Sequence, residues 1–224
     1  MIKLESKKAK YTLKNMDKMA KSFKISINKK GLEKKLNKEI EYYLKKQQSN
    51  SHRATYCRDN RTPKEFIEEI LLNNELEELL KAIIKTNENV QAIHRLGNSK
   101  PATSKNDFNN VNGLPDYLII DKNKRAYTLE LQCCNLSKDS IYVKKHKIDE
   151  SLNINYLLLI DTYHDKYCLI NPLEVDKSKF IKNIANLGNK AGYQLNLNQT
   201  NVFDFNKECF DVVSTINYKQ FANA

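Results

Sequence analysis

The chain has 224 residues, 40% hydrophobic and 29% charged, with only five Gly and four Pro, which is the composition of a folded protein rather than a disordered or fibrous one. Most of its net charge of +11 sits at the amino end, where residues 1–48 hold fifteen Lys and no Arg against five acids, a net of +10. No apolar run approaches the roughly 20 residues of a membrane helix, no secretory leader is legible, and five Cys lack any C-x-x-C spacing, so membrane, secreted and zinc-finger classes are set aside and a cytoplasmic protein with reduced thiols is expected.

Concentrated positive charge draws a polyanion from a distance, and nucleic acid is the commonest one in the cytosol. A solvated lysine face kept for solubility accounts for the same charge equally well. Leu13, Met16, Met19, Ala20 and Phe23 recur at helical spacing, as do Leu32, Leu36, Ile40, Tyr43 and Leu44, which predicts two amphipathic helices broken near residues 28–31. Residues 49–62 read as a polar loop. Thr62-Pro63-Lys64-Glu65 is a capping box with Pro at the first helical position, so a helix starts there and carries the stripe Phe66, Ile67, Ile70, Leu71, then Leu76, Leu79, Leu80, Ile83, Ile84 toward Lys85. If that helix runs unbroken past Asn73 and Asn74, Glu69 falls on its inward stripe and needs a cation or a hydrogen bond. If it kinks there, Glu69 is solvated.

The stretch His94–Gly113 has no apolar period and reads as a long polar loop. Leu114 opens a change of pattern: residues 115–120 and 126–132 are β-rich and flank the turn Asp121-Lys122-Asn123-Lys124, predicting a β-hairpin. A helix is expected over about 138–152, two short strands at 156–161 and 167–170, a helix near 177–187 and strand-like pieces around 193–205. The order implies an α/β (α+β) fold with a mixed central sheet flanked by helices.

Alternation along the second hairpin strand sets Thr128, Glu130 and Gln132 on one face, with Tyr127, Leu129 and Leu131 on the other. Asp116 at the start of the partner strand comes to the mouth of the hairpin, beside Glu130. Two carboxylates that close repel unless a hard divalent cation with oxygen ligands, such as Mg²⁺, sits between them.

Pro115-Asp116, thirteen intervening positions and Glu130-Leu131-Gln132 resemble the signature of the PD-(D/E)xK nucleases. In that family the proline-aspartate pair begins one strand and the (D/E)xK triplet lies on the next. The resemblance covers about Thr62–Pro172, roughly half of the chain. It implies a restriction-endonuclease-like core at 49–172, preceded by a basic helical segment at 1–48 and followed by an appendage at 173–224. It also implies Mg²⁺, replaceable by Mn²⁺, held by Asp116, Glu130 and the Leu131 carbonyl, with Glu69 as an outer or second-metal ligand and Gln132 aiming a water at phosphorus. The sequence departs from the family at Gln132, where the motif has lysine, and Lys145 or Lys147 are the nearest cations that stand to replace it. The implied activity is that of an endonuclease on double-stranded DNA, foremost a homodimeric type II restriction enzyme cutting a short palindrome. Lys100, Ser104, Lys105, Asn109, Asn110, Lys145 and Lys147 are the candidate DNA contacts. The alternatives are a repair, resolvase-like or mobile-element nuclease of the same fold, and a DNA-binding protein whose site has decayed.

Overall fold

The computed structural model describes residues 4–49, 61–96, 114–148, 155–185, 190–197, 202–208 and 210–216. They fall into two compact units, one up to Ile83 and one from Ile84 onward.

The first unit is helical: α1 (Lys7–Ser22), α2 (Lys29–Ser49) and most of α3 (Pro63–Lys85). Ser6 caps α1, its hydroxyl accepting the Ala9 N–H at 3.2 Å. The helix ends with the Lys24 N–H on the Lys21 carbonyl and the Ile25 N–H on the Ala20 carbonyl, while Lys24 takes the left-handed conformation at φ 56°. This C-terminal geometry ordinarily selects glycine. Asn28 caps α2 through the Gly31 N–H at 2.9 Å, so the predicted break is a true helix boundary. The capping box forms as the sequence predicts: Glu65 N–H donates to Thr62 Oγ1 at 3.2 Å and Thr62 N–H to Glu65 Oε2 at 2.8 Å, an arrangement worth about 1 kcal/mol. α3 then passes Asn73 and Asn74 without interruption. Its buried side chains, Ile67, Leu71, Leu72, Leu76, Leu79, Leu80 and Ile83, spread over a wide arc of the helix. The α1 start is locked to α3 by the buried Glu68, whose carboxylate accepts the Glu5 and Ser6 N–H groups at 2.8–3.1 Å.

The second unit is built on a six-stranded sheet. In chain order its strands are β1 (Val90–Arg95), β2 (Tyr117–Asp121), β3 (Ala126–Cys133), β5 (Tyr156–Asp161), β6 (Lys166–Ile170) and β9 (Val202–Asp204), and they lie side by side in that order. Every pairing is antiparallel except β3 with β5, so the sheet is mixed and the fold α+β. The β2–β3 hairpin turns through Lys124 at φ 62°, with the Asp121 N–H donating to the Arg125 carbonyl at 3.0 Å and the Arg125 N–H to Asp121 Oδ1 at 2.8 Å. All six β5 residues are buried, as befits a strand covered on both faces.

A parallel pair needs a crossover, and here it begins with β4 (Ser140–Lys144), followed by a 3-10 turn at Lys145–Lys147. β4 joins β8 (Lys190–Asn196) and β7 (Phe180–Ile184) in a separate three-stranded sheet of order β4-β8-β7. Ile141, Val143, Tyr193 and Leu195 of this small sheet share one buried cluster with Leu157, Leu159, Cys168 and Ile170 of the large one. The small sheet therefore covers the face that β3 shares with Glu130 and Gln132, since Glu130 is in register with Leu157 and Gln132 with Leu159.

Three expectations are corrected. The helix expected over 138–152 is β4 and a single 3-10 turn up to Ile148: Ile141 and Val143 are β-branched, alternate with Tyr142 and Lys144, and bury inward at period two. The helix expected near 177–187 is a 3-10 turn (Lys177–Lys179) leading into β7. The polar loop begins later than His94, because Val90–Arg95 form β1, with Val90 and Ile93 buried and His94 exposed.

Candidate active site

Asp116 precedes β2, one residue beyond the pair Tyr117–Leu129, so the hairpin register sets it opposite Glu130 on the same face. Two further contacts fix it. Its main-chain carbonyl accepts the Leu96 N–H at 3.0 Å, next to β1, and its Oδ2 accepts the Leu131 N–H of β3 at 2.7 Å. Burial first, and the neighbouring Glu130 charge second, push the Asp116 carboxyl up to about 6, against the pull of the Leu131 N–H, Lys147 and Arg95. This is the repulsion of two acids brought together in a low-dielectric place.

The cation that answers it is Lys147. Its Nζ lies 2.6 Å from Glu130 Oε1 and donates to the Leu131 carbonyl at 2.7 Å. The side chains are 13% and 11% exposed, so the pair is largely withdrawn from water. The topology explains the meeting: the crossover from β3 to β5 runs through β4 over the Glu130 face and delivers the Lys145–Lys147 turn back to β3. Other positive groups act on the acids or on their neighbours. Arg95 acts on Asp116. Burial holds the Lys144 ammonium below its ordinary range, reinforced by Lys147 and Lys190 and opposed by Glu130.

The donor set of Asp116, Glu130 and the Leu131 carbonyl is all oxygen, the set that suits a hard divalent ion, and an ammonium already bonds two of its members. Among the described residues no group of three or more His, Cys, Asp or Glu side chains is disposed to hold a metal ion. Here two carboxylates, one main-chain carbonyl and water would have to complete a coordination shell, so the set fits Mg²⁺ or Mn²⁺ far better than zinc.

The other expected site residues have partners or surroundings of their own. Gln132 is half-buried and donates its amide to the Tyr142 carbonyl of β4 at 3.3 Å. Glu69 is buried on α3 as the unbroken-helix reading requires, but within the helical unit its Oε1 accepts the Ser6 hydroxyl at 2.6 Å and its Oε2 the Arg61 guanidinium at 2.6 Å. Lys145 is exposed on its turn. Lys100, Ser104, Lys105, Asn109 and Asn110 lie outside the described residues. The sequence marks neither Arg95 nor Lys190, and it places Lys144 only on the segment that follows the hairpin, with no site role. The signal for Lys144 was the alternation of Ser140-Ile141-Tyr142-Val143-Lys144, whereas nothing local marks Arg95 or Lys190.

Asp161 ends β5 and serves a different purpose: its carboxylate accepts the Leu136, Tyr163 and His164 N–H groups and the His164 ring at 2.7–3.0 Å. Cys134 packs against the core between the sheets, where burial pushes its thiol up to about 12, while Cys133 is exposed. No helix of the described residues is long and apolar enough to cross a membrane. Comparison with family models, with curated proteins and with solved structures finds no match to this chain.

Proposed function

We propose that this chain is a Mg²⁺-dependent endonuclease that hydrolyses phosphodiester bonds of double-stranded DNA, of the PD-(D/E)xK type that its Pro115-Asp116 and Glu130-Leu131-Gln132 residues resemble. The observation that carries the reading is the opposition of Asp116 and Glu130 on one face of the hairpin, with Asp116 bonded to the Leu131 N–H and the Leu131 carbonyl beside them. Such a set of oxygens at the mouth of a hairpin is more than a sheet needs for stability, because it gathers negative charge where burial disfavours it.

Asp116, Glu130 and the Leu131 carbonyl are the groups that would hold the ion. When bound there, a divalent ion lowers the pKa of a water and neutralises charge that develops on the phosphate. Arg95, which acts on Asp116, and Lys144, which acts on Glu130, supply positive charge that draws an anionic backbone toward the acids. The lysines of α1 and α2 add long-range attraction of the same sign. A homodimer acting on a short palindrome is the arrangement that lets two equivalent sites cut both strands.

The test is incubation of the full chain with supercoiled plasmid and Mg²⁺, followed by sequencing of the ends. Nicking or linearisation that stops with chelator and with Asp116→Ala supports the proposal, and discrete ends at a palindrome support the restriction-enzyme form of it. Cleavage that persists in both would end it. A second reading, a silent DNA-binding protein, is favoured by the engagement of Gln132 with the Tyr142 carbonyl, which leaves the motif's lysine position with no charge. Tight duplex binding without Mg²⁺-dependent cleavage would select it.

A further inference from the structure

An ammonium group and a divalent metal ion compete for the same kind of place: a convergence of oxygen donors with excess negative charge. Lys147 fills such a place here. Its Nζ contacts Glu130 Oε1 at 2.6 Å and the Leu131 carbonyl at 2.7 Å, two of the three oxygen groups assigned above to the cation. Both side chains are nearly out of solvent, so the contact is a built pairing rather than a surface encounter. Lys147 also sits at the end of a one-turn 3-10 segment rather than within a long helix, and its four-carbon stem allows the charged end to swing without moving β3.

We infer that Lys147 is an internal competitor for the cation site, its ammonium occupying the Glu130 and Leu131 oxygens until a divalent ion displaces it. The inference rests on the nuclease reading for the identity of the ion. Two consequences follow. Bare metal affinity is lower than the donor set alone would give, because the ammonium must be expelled. The expelled ammonium, still tethered beside the site and close to Lys144, then lacks an anionic partner and is free to take a phosphate oxygen. Lys147 thus makes metal binding and phosphate binding support one another, since each helps to offset the loss of the Lys147–Glu130 pair.

The experiment is titration of the full chain with Mn²⁺ alone, followed by electron paramagnetic resonance of the free ion. Wild type is compared with Lys147→Met, Lys147→Gln, Lys147→Arg and Glu130→Gln. Circular dichroism checks that each is folded, and the glutamine variant, which keeps a donor for the Leu131 carbonyl, guards against a methionine variant that does not fold. The expected result is at least about tenfold tighter Mn²⁺ binding in Lys147→Met and Lys147→Gln, near-wild-type affinity in Lys147→Arg, and loss of the site in Glu130→Gln. If wild type binds Mn²⁺ through Glu130 but the two neutral variants bind it no more tightly, the competitor role is overturned and the metal reading stands. If neither wild type nor the neutral variants show Glu130-dependent binding, both fall. A second titration in the presence of a duplex oligonucleotide should tighten Mn²⁺ binding to wild type more than to Lys147→Met, and equal tightening overturns the coupling.

Discussion

Asp116 Oδ2 accepts the Leu131 N–H at 2.7 Å, which ties the start of β2 to the strand that carries Glu130. One atom of Asp116 is thereby structural while its charge is available for chemistry, and Asp116→Asn separates the two. The asparagine oxygen keeps the Leu131 contact, so the thermal midpoint should move by no more than a few degrees. On the proposed nuclease reading, metal-dependent cleavage should fall on the order of 10³-fold, the cost of removing a metal-borne stabilisation worth several kcal/mol. Parallel melting curves and plasmid-cleavage rates check both halves. A variant that cuts at the wild-type rate would show that the Asp116 charge is not used.

Along α1, Lys7, Lys10, Lys14 and Lys18 are exposed at helical spacing, opposite the buried Ala9, Met16, Met19 and Ala20. Deleting the chain through the end of α1 would strip Glu68 of the Glu5 and Ser6 N–H groups it holds, so neutral substitution is the cleaner probe. Each phosphate contact contributes about −0.9 to the slope of log K against log salt. Replacing the four lysines by Gln should therefore flatten that slope by about 3.6 if this stripe grips the DNA backbone. Fluorescence anisotropy with a labelled duplex at several salt concentrations measures it. An unchanged slope assigns the lysines to solubility alone.

Local chemistry made much of this structure legible. The capping box at Thr62–Glu65, the break at Asn28 and the hairpin turn at Asp121–Lys124 are decided by residues within four positions of one another, and all form as the sequence predicts. The opposition of Asp116 and Glu130 was legible for the same reason, because a hairpin register propagates from its turn. What failed was long-range. Ser140–Lys144 alternates, but a short apolar run reads as helix or strand with equal ease until its partner is known, and its partner β8 lies about fifty residues on. The pairing of Lys147 with Glu130 depends on that same strand placement, so Lys147 could be named as a nearby cation but not located. β7 has exposed residues at three of its five positions and only Ile184 buried, too weak a pattern to mark an edge strand.

Asp161 gives a pH prediction. Burial alone would raise its carboxyl, but the His164 ring and the His164, Leu136 and Tyr163 N–H groups hold it below the ordinary range. A carboxyl depressed in the folded state stabilises the fold above its unfolded pKa of about 3.9, and that contribution is lost as pH falls through the lower folded value. Asp161→Asn turns an NH₂ group toward donors that were satisfied and should cost about 2–3 kcal/mol at pH 7. The gap in thermal midpoint between wild type and variant should hold constant down to about pH 4 and then narrow. A gap that widens with acid would contradict the assignment.

The small sheet depends on a close approach at Gly192, which is in register with Lys144 of β4. A Cβ there would stand 2.3 Å from the Val143 carbonyl oxygen and 3.0 Å from Ile184 Cδ1. The first is a backbone atom held in the β4–β8 ladder, so Gly192→Ala must spread the two strands rather than rotate a side chain. Overpacking of this kind costs about 3 kcal/mol. The damage should not stay local, because β4 carries the Lys145–Lys147 turn, and moving it draws the Lys147 ammonium from Glu130 and the Leu131 carbonyl. Chemical denaturation should thus show a lower midpoint. At a denaturant-free temperature where the variant is still folded, its Mn²⁺ affinity should shift toward that of Lys147→Met. Loss of stability with unchanged metal affinity would mean that the turn is held by contacts other than β4.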